Sequence, residues 1–341
     1  MHARIPASPT ALPSLLFSLI LVLAATPASA AQPTLNVYTY DSFASKWGPG
    51  PAIKERFEAR CDCILNYVAV DGSTGILSRV LLEGATSRAD VVLGLDNSLL
   101  AEARATGLLA PHGVALEQLD LPFAWDDATF LPFDYGYFAF IHNRDQLPDP
   151  PRSFRQLVAD DSLRIIIQDP RSSTPGLGLV LWVKALYGDD AFAVWRALAD
   201  NIVTVTRGWS EAYGLFLDGE ADLVLSYTTS PAYHIIAEGK RQYRAAAFSE
   251  GHGMQIEVAA RLARAPNPAL ARRFMAFIAS DAFQSAIPTG NWMYPVREIE
   301  GGLPAAFDQL VQPTAKLLID PQRIAANRAA WVDEFSQALS E

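Results

Sequence analysis

An α/β fold of two lobes is predicted, each lobe a mixed sheet flanked by helices, and three observations predict it. Short apolar runs alternate with helix-like runs through most of the chain, the pattern of a sheet with helices on both faces. A long aromatic run near the middle, Phe133 to Ile141, is followed by the rigid segment Pro148-Asp149-Pro150-Pro151, which suits a crossing between two cores. Four times an apolar run breaks into Gly, Ser, Thr or Pro just before a helix begins. The breaks are Asp71-Gly72-Ser73-Thr74, Ser172-Ser173-Thr174-Pro175-Gly176, Gly208-Trp209-Ser210 and Tyr227-Thr228-Thr229-Ser230-Pro231. Ligands in such sheets bind beyond the carboxyl ends of strands, so two facing lobes would bring all four breaks to one cleft.

The first thirty residues read as an export signal rather than as part of the fold. Arg4 gives a positive start, Leu15 to Ala25 is apolar apart from Ser18, and Ala28-Ser29-Ala30 matches a small-residue cleavage site. The apolar stretch is short for a bilayer span. The chain left by cleavage at about Ala30 is long for one core and short for three, so two domains are expected.

Leu35 to Tyr40 alternates like a strand. Gly48-Pro49-Gly50-Pro51 is a loop, and Pro51 can open a helix over Ala52 to Arg60. Ile64 to Val70 is the next strand, Ile76 to Glu83 a helix ending at Gly84, Ala89 to Gly94 a buried strand, and Ser98 to Thr106 a helix stopped by Gly107. After the aromatic strand a second series runs as strand Arg164–Gln168, helix Gly176–Tyr187, strand Ile202–Thr206, helix Ser210–Leu217, strand Ala221–Tyr227 and helix Pro231–Glu238. Met254 to Ala260 alternates again and is expected to return to the first lobe. Pro268–Ala279 and Asp281–Ala286 read as helices, and the chain ends in an amphipathic helix over Pro321–Leu339. The resulting division assigns 34–132 with about 246–300 to lobe I, and 133–245 with about 301–341 to lobe II.

Lys and Arg number 27 against 37 Asp and Glu, a net charge of −10, and there is no basic run. That balance argues against nucleic acid and anionic lipid as partners. Half the residues are hydrophobic, which argues against disorder. The two cysteines are Cys61 and Cys63. On a straight strand this spacing lies near the outer limit of disulfide reach, so a bridge needs a local bend; an oxidising compartment permits one. Two ligands alone do not close a metal site.

The break after Gln168 is the most informative. A helix opening at Thr174-Pro175-Gly176 presents free backbone N–H groups and a positive dipole end, which favour phosphate or carboxylate. The competing reading is an ordinary cap by the Ser173 or Thr174 hydroxyl. Asp71-Gly72-Ser73-Thr74-Gly75 resembles a phosphate-cradling loop but lacks the lysine of a P-loop. Tyr40, Trp47, Trp209, Tyr213, Tyr227, Tyr233, Trp292 and Tyr294 lie near the breaks or in turns. Trp209, between Gly208 and Ser210, is the hardest of these to place in a core. Aromatic faces attract cations by about 0.5–2 kcal/mol each, so such walls suit a heteroaromatic cation. H-E-x-x-H, G-x-S-x-G and C-x-x-C patterns do not occur, which argues against hydrolytic and redox enzymes.

Several long motifs resemble one family. They include Val37-Tyr38-Thr39-Tyr40-Asp41-Ser42-Phe43, Trp47-Gly48-Pro49-Gly50-Pro51, Asp134-Tyr135-Gly136-Tyr137-Phe138, Ser173-Thr174-Pro175-Gly176-Leu177-Gly178, Gly208-Trp209-Ser210-Glu211-Ala212-Tyr213-Gly214, Ser226-Tyr227-Thr228-Thr229-Ser230-Pro231-Ala232-Tyr233-His234 and Pro288-Thr289-Gly290-Asn291-Trp292-Met293-Tyr294-Pro295. In these the chain resembles the periplasmic thiamine-binding receptors of bacterial ABC transporters, from about Leu35 to Val296. The resemblance implies a two-lobed type II periplasmic binding fold, a monomer in the periplasm, no cofactor and no catalysis. It implies thiamine, thiamine monophosphate and thiamine diphosphate as ligands, delivered to an inner-membrane permease with its ATPase. Ser173, Thr174, Trp209, Tyr227, Thr228, Thr229 and Ser230 would line the site. The family's acidic-glycine pair falls on Asp71-Gly72 or, one residue on, Gly72-Ser73. Tyr40, Trp47, Tyr233 and Trp292 would be ring-stacking walls. Thiamine has a permanently cationic thiazolium and a flat aminopyrimidine, so aromatic walls suit both rings, and Asp71 or Glu211 could pair the charge or the amine. The rival readings are a receptor for ferric ion or a polyamine on the same fold, and an exported enzyme that cleaves thiamine or phosphate esters.

Overall fold

Apolar runs in the sequence become the buried middle of a sheet whose two ends differ from its centre. The structure is a computed structural model that describes residues 1–3 and 32–341, so the expected export signal lies almost wholly outside the described residues. Among the described residues there are twelve strands: β1 (Thr34–Tyr40), β2 (Ile64–Val70), β3 (Val91–Asp96), β4 (Leu109–Ala110), β5 (Leu131–Asn143), β6 (Ile165–Gln168), β7 (Ile202–Thr206), β8 (Leu223–Tyr227), β9 (Tyr243–Ala245), β10 (His252–Leu262), β11 (Tyr294–Pro295) and β12 (Lys316–Leu317). The main path is β2-β1-β3-β10-β5-β8-β6-β7. At each end three strands run parallel, and their inner members read as continuous apolar runs because both faces are covered: every residue of β3 and of β6 is buried.

The centre is made by two long antiparallel strands. β5 pairs with β10 from Leu131 to Tyr137, then with β8 from Phe138 to His142. The aromatic run therefore does cross from one half to the other. β10 pairs with β3 and β5, so the chain also returns as expected. Helices cover both faces of each half. Phe43, Phe57, Phe133, Phe274 and Phe283 fill one side of the first half, and Ile76, Val80, Val92, Leu100 and Val258 the other. In the second half Phe140, Phe154, Trp182, Trp195 and Phe335 lie on one side and Ile166, Ala212, Phe216 and Val224 on the other. The result is the predicted pair of α/β lobes.

Several expectations are corrected. Ala306, Phe307 and Leu310, assigned to the second lobe, pack into the first half's cluster. The helices Phe154–Val158 and Ala191–Ala199 add to the expected set. Two helices start earlier than glycine content indicated, at Ser73 and at Thr174. Glycine at 176 is there for space, not flexibility: a Cβ would come within 2.4 Å of the Gln168 carbonyl oxygen. Cys61 and Cys63 are joined in a disulfide with Cα atoms 5.1 Å apart. Asp62, at φ 51°, supplies the bend that the spacing requires. Among the described residues no helix is long and apolar enough to cross a membrane.

Candidate functional site

The helices Ser73–Glu83 and Thr174–Tyr187 begin on opposite halves, and neither helix end is closed by its own N-cap side chain. The ordinary-cap reading of Ser173 thus fails: its backbone is in the cap conformation, but its hydroxyl does not cap. The two ends meet. Ser73 Oγ lies 2.8 Å from Thr174 Oγ1 and donates to Asp96 Oδ2 at 2.5 Å. A Cβ on Gly72 would sit 3.3 Å from the Ser172 carbonyl oxygen. A third helix, Trp209–Leu217, also starts without a capping side chain. Its approach is tied to the second, because Ser172 Oγ donates to the Arg207 carbonyl at 2.7 Å, and to the first, because the Arg207 guanidinium pairs with Asp71. The fourth break joins through Trp209, whose Nε1 donates to Ser226 Oγ at 2.7 Å; Ser226 Oγ lies 2.7 Å from Ser230 Oγ, at the start of the helix Ser230–Ala237. All four breaks are linked in one chain of contacts. Three helix starts gathered this way without capping side chains leave N–H groups and positive dipole ends of the kind that suit an anion.

The aromatic candidates form a neighbouring group. The Tyr40 ring occupies the space a side chain at Gly94 would need, and Gly94 has φ +104°, so only glycine suits that place. Tyr40 Oη donates to Glu257 Oε2 at 2.8 Å, and Asn291 Nδ2 lies 2.8 Å from Tyr40 Oη. Trp292 comes next in the chain, at φ 56°, with its ring edge-on to Tyr233 at 5.3 Å. Trp47 is 50% exposed on a loop whose Pro49 abuts Gly290. Tyr227 packs on Phe138 at 5.4 Å and donates to Gln255 Oε1 at 2.7 Å. Thr228 and Thr229 are fully buried; the Thr228 N–H donates to the Tyr137 carbonyl at 2.8 Å, and Thr229 Oγ1 lies 3.9 Å from Met293 Sδ. In this conformation those two threonines hold the break in place. Asp71 is exposed and engaged by Arg207.

Sequence reasoning missed the acids beneath this group. Asp134 on β5 and Glu257 on β10 stand directly opposite in the antiparallel register. Asn291 Nδ2 donates to Asp134 Oδ2 at 2.6 Å and to Glu257 Oε2 at 3.0 Å. Burial, and then the neighbouring Glu257 charge, holds the Asp134 carboxyl well above the usual carboxylate range. Burial pushes Glu257 up to about 7, against bonds from Asp134 and Tyr40 that pull it down. The available signal was an acid inside each of two otherwise buried strands, where an ionisable group rarely sits without a reason.

Residues 35–288 match the family of bacterial extracellular solute-binding proteins. The thiamine-binding periplasmic protein of Escherichia coli is 56% identical over 94% of this chain and 98% of its own length. The chain belongs to the bacterial extracellular solute-binding proteins. The thiamine-binding periplasmic protein of Brucella suis is 49% identical over 96% of this chain and 98% of its own. A solved periplasmic thiamin binding protein superposes with a TM-score of 0.89 at 56% identity, covering 91% of this chain and 97% of that one. The resemblance drawn from the motifs is thereby upheld, and so is the type II two-lobed fold of this solute-binding protein.

Proposed function

We propose that this solute-binding protein is a receptor that binds thiamine in the periplasm and delivers it to an ABC permease driven by an ATPase. The observation that carries the reading is the joining of all four breaks, from both halves, beside a group of aromatic residues. The names of relatives that match nearly the whole chain support the same ligand. Tyr40, Trp47, Tyr227, Tyr233 and Trp292 are the walls for the two rings, with attraction of about 0.5–2 kcal/mol per aromatic face for the cationic one. Gly72, Ser73, Ser173, Thr174, Trp209 and Ser230 form the other end, with Thr228 and Thr229 buttressing it. Its helix starts suit the phosphate of thiamine monophosphate or diphosphate better than they suit a free alcohol. Asp71, by its contact with Arg207, closes the rim. Nothing in this arrangement needs a bond of the ligand to break; the protein grips and releases it by lobe movement.

Titration calorimetry and tryptophan fluorescence with thiamine and its two phosphate esters test this. One ligand per chain, bound tightly and with quenching, is expected. Millimolar thiamine giving neither heat nor quench would refute the reading, and release of phosphate or free pyrimidine during incubation would reassign the protein to an enzyme class.

A further inference from the structure

Asp134 and Glu257 take no part in joining the four helix starts, yet they sit on the two strands that run through both halves. They are connected to one wall directly, through Tyr40 Oη on Glu257, and to another through Asn291, the residue before Trp292. The titratable groups facing them are Tyr40 from β1, Asp96 from β3 and Tyr227 from β8. No lysine, arginine or histidine side chain among the described residues bonds to either carboxyl. Asp134 is fully buried, and its Oδ1 has no hydrogen-bond donor. Two adjacent buried carboxyls without a counter-ion do not both ionise at neutral pH, because desolvation and like charge both oppose it. A proton therefore stays on the pair when the cleft is empty.

Resting on the thiamine reading, we propose that the Asp134–Glu257 pair is the element of the cleft that reads positive charge: a fixed heteroaromatic cation held against Tyr40 and Tyr227 displaces the pair's shared proton to solvent. The balance is one O–H bond broken at the pair, one proton passed to the buffer, and one positive charge gained from the ligand. No redox partner or co-reactant is involved. A neutral ring of the same shape gains nothing from the exchange, so the pair selects for the cation. At pH values where the pair is protonated, proton and ligand compete, and affinity falls by up to tenfold per pH unit as pH decreases. These residues position charge and undergo no chemistry.

The test is calorimetry of thiamine, whose phosphate-free form adds no phosphate titration, in buffers of differing ionisation enthalpy at about pH 6 and about pH 8.5. At the lower pH the heat should vary with buffer, reporting a fraction of a proton released per thiamine; at the higher pH, where Glu257 is already ionised, the variation should be smaller. Glu257→Gln should bind more weakly and lose the buffer dependence. If that variant does not fold, Asp134→Asn serves, and the unmodified protein's buffer series decides on its own. Binding with heats independent of buffer at both pH values overturns the proposal alone. Absence of binding overturns the thiamine reading, and this proposal with it.

Discussion

In the proposed site, Trp209 joins packing to binding in one side chain. It lies half-buried, stacked on Tyr213 at 5.0 Å, with its Nε1 donating to Ser226 Oγ. Tyr213 is in turn fixed by a 3.0 Å contact between its hydroxyl and His234 Nε2. The indole is therefore held on one ring face and at its nitrogen, pre-oriented at the junction of the third and fourth breaks. Pre-orientation matters because ordering a free side chain on binding costs about 0.5–1.5 kcal/mol. Trp209→Ala is expected to weaken thiamine at least tenfold, about 1.4 kcal/mol, by calorimetry. Trp209→Phe, which keeps a ring on Tyr213 but loses the donor, should lie between the two. Unchanged affinity in the alanine variant would leave Trp209 a packing residue only.

The helix Thr174–Tyr187 shows the same coupling one level up. Its start faces the cleft, while its flank presses on the crossing strand, and glycine at 178 permits that contact: a Cβ there would meet the Phe138 ring at 2.2 Å. Alanine in a helix interior is favoured over glycine by about 1 kcal/mol. Overpacking a filled core costs about 1–3 kcal/mol. The second effect should win, because Phe138 is buried and lies against Tyr227, a proposed wall of the site. Gly178→Ala should lower the urea midpoint, with an unchanged slope, by about 1–2 kcal/mol of stability; a raised midpoint would mean that the ring turns aside freely. This helix also marks what the sequence could reveal. Ser173-Thr174-Pro175 punctuates its start so clearly that the break was readable without coordinates. The other three breaks were readable for the same reason, since Gly, Ser, Thr and Pro act on the local backbone. What a local pattern does not carry is register. Ser73 meets Thr174 across 101 residues and Tyr40 meets Glu257 across 217, so neither contact has a signature in its own segment. The helix Ala191–Ala199 was missed for a different cause: it comes directly after Gly188-Asp189-Asp190, and its weight in the core rests largely on Trp195 and Leu198.

Across the whole molecule, the contacts that close the rim are weak and the group at its centre is costly, and this sets how stability should respond to pH. Asp71 and Arg207 keep 52% and 73% of their side chains exposed, so their pair is worth at most about 1 kcal/mol and is screened by salt. The acid pair on β5 and β10 lies instead in the body of the sheet. Glu257 titrates near 7 in the folded protein against an ordinary value of 4.5, so folded chains bind its proton more tightly than unfolded ones do. Its contribution is complete below the ordinary carboxylate value and is lost as pH rises through about 7, a loss on the order of 3 kcal/mol. Glu58, Glu83, Asp169 and Glu238 behave oppositely: hydrogen bonds and cationic partners hold them below their ordinary values, so their contribution is lost only as pH falls into the acid range. Burial also lowers His142, His234 and His252, whose contribution is gained as pH rises toward neutral and opposes the pair's loss, so the central pair is separated by comparing the protein with Glu257→Gln. Measured relative to Glu257→Gln, the urea midpoint of the ligand-free protein should decline from about pH 5 to about pH 8. Saturating thiamine should flatten the neutral part of the curve as well, because a bound cation stabilises the ionised pair that the empty protein tolerates poorly. A difference between the two proteins that stays level with pH would mean that water or a rearranged side chain already solvates the pair, and that the floor of the cleft carries no stored charge penalty for the ligand to relieve.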